Sequence, residues 1–293
     1  MNNFTNEISA LVSLLDDPDG KVSAPVIDRL IEIGQPAVKL LENYWENTPD
    51  QSVQSKIESV ILNIQRSKLK KDVKDWVDCH GEQLLYGATL VARTKYPGLS
   101  YNILDAKVDL LKTEIWLELN DHLTALEKVK VMNHFIFSVH KFTRTVKGIL
   151  SPQLFHINHL LEAKKGIPIT LAILYAEIAS RLELPIKCVD LPQNFLLAYH
   201  DPGYADDPDG ILFYINPFSN GAVLGREELT NFLAKQKLRV EASYFKPCSN
   251  IVTIRRLTEG LKYTYAASQM NDEAEFLNEL LKIINRGEDD YLV

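Results

Sequence analysis

The sequence predicts an α+β fold that is mostly α, with a small antiparallel sheet packed on a central helix and helical segments on both sides. Three patterns support this prediction. Apolar residues recur at helical spacing through most of the chain. From Pro168 onward, one helix is apolar on almost every side. Three runs rich in β-branched and aromatic residues follow it, at 186–191, 194–200 and 211–218.

The N-terminal part carries three apolar stripes at helical spacing, interrupted by residues that end helices. The interruptions fall at 18–20, at 34–36 and at 48–50, and each contains proline or glycine. The stripes consist of Ile8, Leu11, Leu15, Val26, Leu30, Ile33, Val53, Ile57, Val60, Ile61 and Ile64. The stretch 14–41 resembles a HEAT-type repeat of paired helices, so we expect a HEAT-like segment over residues 1–67.

The rest of the chain is predicted to hold a core domain over 68–245 and a helical hairpin over 246–293. Helical spacing continues to about residue 146, with a break at 95–102 where proline and glycine occur. Another helix is expected from Pro152 to Ala163. Residues 66–74 are expected to form the solvated end of a helix, because their charges are mixed. Residues 250–286 resemble a truncated tetratricopeptide hairpin.

Composition argues against several classes of partner. The 293 residues carry a formal net charge of -7, and no dense block of Lys and Arg is present. We therefore expect no nucleic-acid partner. No stretch approaches the roughly 18 uninterrupted apolar residues of a membrane span, and the start lacks the pattern of an export signal. We expect no membrane partner and a cytoplasmic protein.

The cysteines indicate neither a disulfide framework nor a metal site. Cys79, Cys188 and Cys248 are odd in number, widely spaced and outside any C-x-x-C motif. Cys79 and His80 are adjacent, but neighbouring helical residues point about 100° apart, so they do not form a catalytic dyad. We expect no metal and no cofactor.

The order of a central helix followed by three strands has a specific resemblance. The stretch 164–200 contains the phrases GIPITLAILYAEIASRLELP and LPQNFLLAYH, and 216–221 reads NPFSNG. Asn158 precedes this helix, and 84–99 reads LLYGATLVARTKYPGL. Together these phrases resemble the transglutaminase-like (papain-like) core, specifically its bacterial SirB-type branch, from about residue 75 to 285.

The resemblance implies a catalytic triad whose three positions have lost their chemistry. Active members of the superfamily have a Cys at the start of the core helix and a His and an Asp on the strands that follow. Pro168 takes the Cys position, Asn194 the His position and Asn216 the Asp position. Proline has no nucleophile, and an asparagine amide neither accepts a proton near neutral pH nor carries a charge. In the SirB-type branch the proline is usual, whereas His and Asp are often kept, so the two asparagines are further departures.

All three residues also have plain structural roles. Proline is favoured at the first position of a helix. The two asparagines could hydrogen-bond to each other or to nearby backbone, where a charged pair would need strong compensation. The alternative is a binding cleft lined by Thr170, Tyr175, Gln193, Asn194, Phe195 and Asn216.

The leading functional hypothesis is a non-catalytic protein that acts as a protein-interaction or regulatory module, with a protein or peptide as its partner. One rival is a cryptic amide hydrolase or acyl transferase with relocated catalytic residues, such as Thr170, Cys188 or His200. The other rival is small-molecule or peptide binding in the former catalytic cleft. The lost triad favours the first hypothesis, since fold alone does not license an activity.

Overall fold

The computed structural model describes residues 2–15, 20–145, 150–192, 194–201, 203, 207–237 and 241–289. The chain forms two compact units, Met1–Lys74 and Asp75–Val293. The second unit contains both the predicted core and the predicted C-terminal hairpin. The three-part division at residues 67 and 245 stays a prediction.

The first unit is helical, and its core is built from the predicted stripes. Its helices are α1 (Asn2–Leu14), α2 (Gly20–Ile33), α3 (Gln35–Asn47) and α4 (Gln51–Asp78), and the last four residues of α4, 75–78, belong to the second unit. Gly34 has φ +73 and separates α2 from α3, a conformation that glycine adopts without strain. Pro36 lies in the first turn of α3, where its missing N–H costs nothing. Eight of the stripe residues are buried here, and Leu11, Ile33 and Ile61 pack against them.

Helix α4 is longer than the sequence indicates. Residues 66–74 are predicted to be the end of a helix, yet α4 continues through them to Asp78. Leu69, Val73 and Trp76 are buried and extend the apolar spacing beneath the charged residues. Lys68 and Asp72 form an i,i+4 ion pair of 2.7 Å on this stretch. The mixed charges are therefore compatible with a continuing helix.

The second unit combines eight further α-helices with two small sheets among its described residues. The helices are α5 (Leu84–Arg93), α6 (Tyr101–Trp116), α7 (Ala125–Asn133), α8 (Ile157–Ala163), α9 (Pro168–Arg181), α10 (Arg226–Lys235), α11 (Asn250–Ala267) and α12 (Asn271–Asp289). The gap between α5 and α6 confirms the predicted break at 95–102. A π-helical turn, His134–Val139, follows α7 directly. None of the described helices has the length and apolarity that crossing a membrane requires.

The strands confirm the predicted small antiparallel sheet and add elements that the sequence did not reveal. The strands are β1 (Thr143–Arg144), β2 (Lys165–Gly166), β3 (Ile186–Leu191), β4 (Asn194–His200), β5 (Ile211–Asn216) and β6 (Ala222–Leu224). The sheet has the order β3-β4-β5-β6, and each neighbouring pair is antiparallel. The short strands β1 and β2 pair in parallel. Strand β5 ends at Asn216, two residues before the predicted end.

Helix α9 is the central helix, and the four-stranded sheet is covered on both faces. One face packs on α9 and α11. The other face packs on α10 and on the 3-10 turn Ala242–Phe245. Its buried residues form a cluster that includes Leu191, Leu196, Tyr214, Leu229, Leu233 and Phe245. The fold is therefore the predicted α+β arrangement, with a small sheet against a helix buried on almost every side.

The helix predicted from Pro152 to Ala163 is interrupted at one residue. Pro152–Phe155 forms a 3-10 turn, and α8 begins only at Ile157. Between them His156 has extended backbone, with φ -94 and ψ 124. The continuous helix was therefore a wrong prediction at this point.

We expect Gly87→Ala to destabilise the second unit. A Cβ at Gly87 would lie 2.6 Å from Trp76 and 2.9 Å from Ile254, closer than real packing allows. Overpacking costs about 1–3 kcal/mol, and the helical preference of Ala over Gly returns up to about 1 kcal/mol. Urea unfolding should show a net loss of about 1–2 kcal/mol in the free energy of unfolding.

Gly98→Ala is the matched control, because nothing lies within 4 Å of the added Cβ. It should change the free energy of unfolding by less than about 0.5 kcal/mol. Equal losses from the two substitutions would contradict the close packing at Gly87.

Candidate functional site

The chain enters α9 through a tightly packed turn. Lys164, with φ 58, ends α8 in a left-handed conformation, and β2 follows directly. A Cβ at Gly166 would lie 2.8 Å from Leu160 and 2.9 Å from Leu171, so only glycine fits between α8 and α9. Ile167 then has extended backbone and is the N-cap of α9.

Pro168 is the first residue of α9, as the sequence predicts, and the hydroxyl beside it is already used. Thr170 is fully buried. Its Oγ1 accepts a hydrogen bond from Ile167 N–H at 3.1 Å and donates one to Ile167 C=O at 3.2 Å. Thr170 thus pairs with the backbone of the N-cap residue, and Pro168 brings no N–H that needs a partner. Thr170 therefore closes the start of the helix.

Asn194 and Asn216 each hydrogen-bond to the backbone of their own segment. Asn194 Oδ1 accepts from Phe195 N–H at 2.9 Å. Asn216 Oδ1 accepts from Phe218 N–H at 3.0 Å and caps the 3-10 turn Pro217–Ser219. No hydrogen bond joins the two amides, both of which lie in the described part of the chain. The sequence allowed hydrogen bonds either between the two asparagines or to nearby backbone, and the structure has the bonds to backbone.

The sheet register places both asparagines on the sheet face away from α9, although the 3-10 turn that Asn216 caps packs on α9. Asn194 is the direct partner of Leu191, which faces α10. Tyr214 faces α10 too, and Asn216 follows it by two residues, so regular alternation places Asn216 on that face as well. Helix α9, which begins at Pro168, covers the opposite face. Regular strand geometry thus brings the two asparagines to one face, and Pro168 lies on the helix of the other.

The remaining residues of the predicted cleft are mostly core residues. Tyr175 is fully buried, and its hydroxyl donates to Asn133 Oδ1 at 3.0 Å. Asn133 Nδ2 in turn donates to Gly221 C=O at 2.9 Å, which joins α7, α9 and the turn after β5. Burial raises the pKa of Tyr175 far above its ordinary value. Phe195 is also buried. Gln193 lies outside the described residues.

Of the two thiols nearest to the core, Cys188 is buried and Cys248 is partly buried, and both have raised pKa values. Cys188 lies on β3, and burial raises its pKa well above the ordinary value. Cys248 N–H donates to Cys188 C=O at 2.8 Å, and Cys248 Sγ lies 3.5 Å from Thr253 Oγ1. Burial raises the pKa of Cys248 to about 11. Cys188 lies within a strand, whereas Cys248 directly precedes Ser249, the N-cap of α11. A helix N-terminus lowers the pKa of a thiol, but for Cys248 the effect of burial is larger and the net shift is upward.

A cavity that the sequence did not reveal lies at the other end of α9. It has a volume of about 260 Å³, and its lining includes Glu82, Glu177, Lys187, Cys188, Cys248 and Asn250. Ser180 also lines it and follows Pro168 by twelve residues, or about 18 Å along the helix. The cavity is therefore distinct from the start of α9 at Pro168. Its residues come from distant parts of the chain, so no local sequence signal could have indicated it.

Two neighbouring polar side chains are buried without a hydrogen bond. His156 is 1% exposed, and neither ring nitrogen has a partner among the described residues. Asn158 Oδ1 is likewise buried and unpaired there. The His156 ring meets the Tyr96 ring edge to face at 5.3 Å. Burial lowers the pKa of His156 to about 4, and the neighbouring charges of His159 and Lys95 add to this effect.

Among the described residues, no group of three or more His, Cys, Asp or Glu side chains is arranged to hold a metal ion. The fold defines a class of protein: a transglutaminase-like core, whose central helix begins here with Pro168. The chain belongs to the transglutaminase-like superfamily, since the model of that family matches residues 103–259.

Curated relatives are similar to the chain over most of its length, and their names state no activity. A UPF0162 protein of Xylella fastidiosa strain Temecula1 is 27% identical over 216 residues, which cover 71% of this chain and 74% of the relative. A UPF0162 protein of Pseudomonas aeruginosa is 25% identical over 214 residues, with 72% and 76% coverage. No solved structure matches the chain.

We expect stability to fall with acidification because of His156. Its pKa is 6.5 ordinarily and about 4 in the folded protein, so the unfolded chain binds the proton first as the pH falls. The contribution is fully present above pH 6.5 and is lost between pH 6.5 and pH 4. Between about pH 7.5 and about pH 5, this group should remove about 2 kcal/mol of the free energy of unfolding.

Urea unfolding of His156→Phe at both pH values tests this expectation. Phenylalanine keeps a ring against Tyr96 but does not titrate, so the acid-dependent loss should shrink by about 2 kcal/mol. The control is His122→Gln, which removes an exposed imidazole. If the pH dependence of the free energy of unfolding is unchanged in His156→Phe, His156 is not the source of the loss of stability in acid.

Proposed function

We propose that this protein is a non-catalytic transglutaminase-like protein that acts as a protein-interaction or regulatory module, with a protein or peptide as its partner. The observation that carries the proposal is Pro168 at the first position of α9, where a catalytic member needs a thiol. A helix N-terminus lowers the pKa of a cysteine placed there, but proline has no thiol whose pKa could be lowered.

The other triad positions support the same proposal. A general base must accept a proton, and its partner must carry the charge that stabilises the resulting imidazolium. Asn194 and Asn216 do neither, and each is held by the backbone next to it. Their local hydrogen bonds give both residues a structural reason to be present without any reaction.

Relocated catalysis receives little support from the residues nearby. The hydroxyl of Thr170 is bonded in both directions to the Ile167 backbone, which leaves no base to activate it. The thiols of Cys188 and Cys248 are held in their neutral forms by burial. His200 is six residues from Asn194 along β4, or about 20 Å at 3.3 Å per residue.

Ligand binding in the former cleft is the other rival. Thr170, Tyr175 and Phe195 are buried, so a ligand would reach their side chains only if the second unit opened. Buried core residues are held by many contacts, and such opening is costly. The burial of these three side chains therefore favours the interaction hypothesis.

Within the superfamily we place the chain in the SirB-type branch, on the strength of Asn158, the Gly166–Pro168 turn and the NPFSNG stretch. We further propose that residues 1–67 act as a HEAT-like segment. The stacked amphipathic helices and shared core of the first unit support this proposal. Helices α11 and α12 pack closely against each other, which supports a tetratricopeptide-like hairpin over 246–293.

We expect the native thiols to resist an amide-mimicking, thiol-directed probe. For Cys248 the rise in pKa from 9.0 to about 11 lowers the thiolate fraction about 100-fold near neutral pH. Labelling of the full chain should be followed by peptide mass mapping, in a Cys79→Ala background because Cys79 is exposed. Native labelling of Cys188 and Cys248 should be at least about tenfold slower than labelling in denaturant.

The denatured sample controls for reactivity of the probe with each thiol. Rapid native labelling that disappears in Cys188→Ala would overturn the non-catalytic proposal and favour a relocated nucleophile. Cys248→Ala, with its thiol in the same cavity, shows whether any loss is specific to Cys188.

We expect the helical front end to carry much of the partner binding, because stacked helices present extended grooves. The test compares the partners captured by the full chain with those captured by a variant that lacks residues 1–66. Circular dichroism shows whether the shortened variant is folded. Partners should be lost from the shortened variant. Identical partner sets would assign the binding to the second unit instead.

A further inference from the structure

Helix α6 carries an apolar stripe on its outer side. Its inner side is formed by Leu104, Val108, Leu111 and Ile115, all buried. On the outer side Ile103 is 58% exposed, Leu110 is 67% exposed and Leu117, the C-cap residue, is 70% exposed. Ala106 and Thr113, both exposed, lie between them. The spacing alternates between three and four residues, which is the seam pattern of two paired helices.

We propose that this stripe binds a second copy of the chain, with the two α6 helices antiparallel about a two-fold axis at Leu110. The inference goes beyond the proposed function and does not depend on it. In this arrangement Leu110 meets Leu110 of the second copy. Ile103 meets Leu117, because each lies seven residues from the centre.

Charge complementarity favours a second copy as the occupant. Lys107 lies three residues before Leu110, and Glu114 lies four residues after it, on the same flank of the stripe. An antiparallel pair therefore places Lys107 beside Glu114 of the second copy, and the symmetry repeats this pair. Lys107 has no ion-pair partner within the described part of its own chain. One Glu114 oxygen contacts His140 Nε2 at 2.6 Å, and the other is available.

The charged residue on the other flank of the stripe, Asp109, determines whether the two α6 helices pair in parallel or antiparallel. A parallel pair would bring Asp109 toward Glu114 of the second copy and would form no Lys107–Glu114 contact, so like charges would oppose it. The antiparallel pair brings the two Asp109 residues near each other. Each is already 3.5 Å from Arg181 of its own chain, which offsets that repulsion. The balance of charges therefore favours the antiparallel dimer.

The size of the stripe indicates a weak dimer. From Ile103 to Leu117 the stripe is about 21 Å long on a helix about 10 Å wide, or roughly 200 Å² in plan. Stable interfaces bury about 800 Å² on each partner. We therefore expect an equilibrium between monomer and dimer that depends on protein concentration.

Sedimentation equilibrium of the full chain over a range of concentrations tests the proposal. Leu110→Asp should raise the dissociation constant at least about tenfold, because it places two carboxylates at the centre of the interface. The control is Tyr263→Asp on α11, where the tyrosine is 72% exposed, and it should leave the constant unchanged. A wild-type protein that stays monomeric at all concentrations overturns the proposal.

Charge reversal tests the pairing itself. Lys107→Glu and Glu114→Lys should each weaken the dimer roughly three- to tenfold, and the double variant should restore it. If the double variant instead shows the sum of the two single losses in dimer affinity, with no rescue, the Lys107–Glu114 contact is excluded.

Disulfide trapping tests the antiparallel geometry, again in the Cys79→Ala background. Leu110→Cys should cross-link to itself. Ile103→Cys should cross-link to Leu117→Cys when the two variants are mixed, but not to itself. Self-linking of Ile103→Cys would show a parallel pair and overturn the proposed arrangement.

Discussion

Helix α9 has almost no side exposed to water, and the second unit is arranged to cover it. Ten of its residues are buried, against the sheet on one side and against α5, α6, α8 and α11 on the others. A helix with so many apolar residues is stabilised only when other elements cover it, because this burial removes its apolar surface from water. Such enclosure makes an unsatisfied polar group costly. The side chains of Thr170, Tyr175, Glu177 and Arg181 on α9 all form hydrogen bonds within the protein.

An ionic cluster at the C-terminal end of α9 fixes the neighbouring helices. Arg181 donates to Glu177 at 2.9 Å and to Asp105 on α6 at 2.6 Å. Glu177 also accepts a hydrogen bond from Leu85 N–H at the start of α5. Loss of one partner from such a partly buried set would leave a charge uncompensated. The inner side of α6 is thereby anchored, which holds its apolar outer side toward solvent.

The sequence predicted what depends on local patterns. The bounds of β3 and β4, the start of α9 at Pro168 and the helical stripes of the first unit follow from residue type and spacing. Prediction from the sequence failed where tertiary contacts determine the structure. The length of α4 depends on side chains buried beneath charged residues, and the break at His156 lies in an apolar stretch that gives no local signal. The face occupied by Asn194 depends on strand pairing, and the cavity beside Cys248 depends on distant segments meeting.

The cap formed by Asn216 depends on the shape of the side chain and on one acceptor oxygen, and it does not depend on charge. The turn after β5 needs a short side chain with an acceptor oxygen, and Asp, Asn and Ser all supply one. Only the carboxylate could also orient a histidine. Replacing one oxygen by an NH₂ group would therefore abolish the charge while the turn, the strand and the fold persist. At such a position folding stability alone does not distinguish a charged side chain from a neutral one.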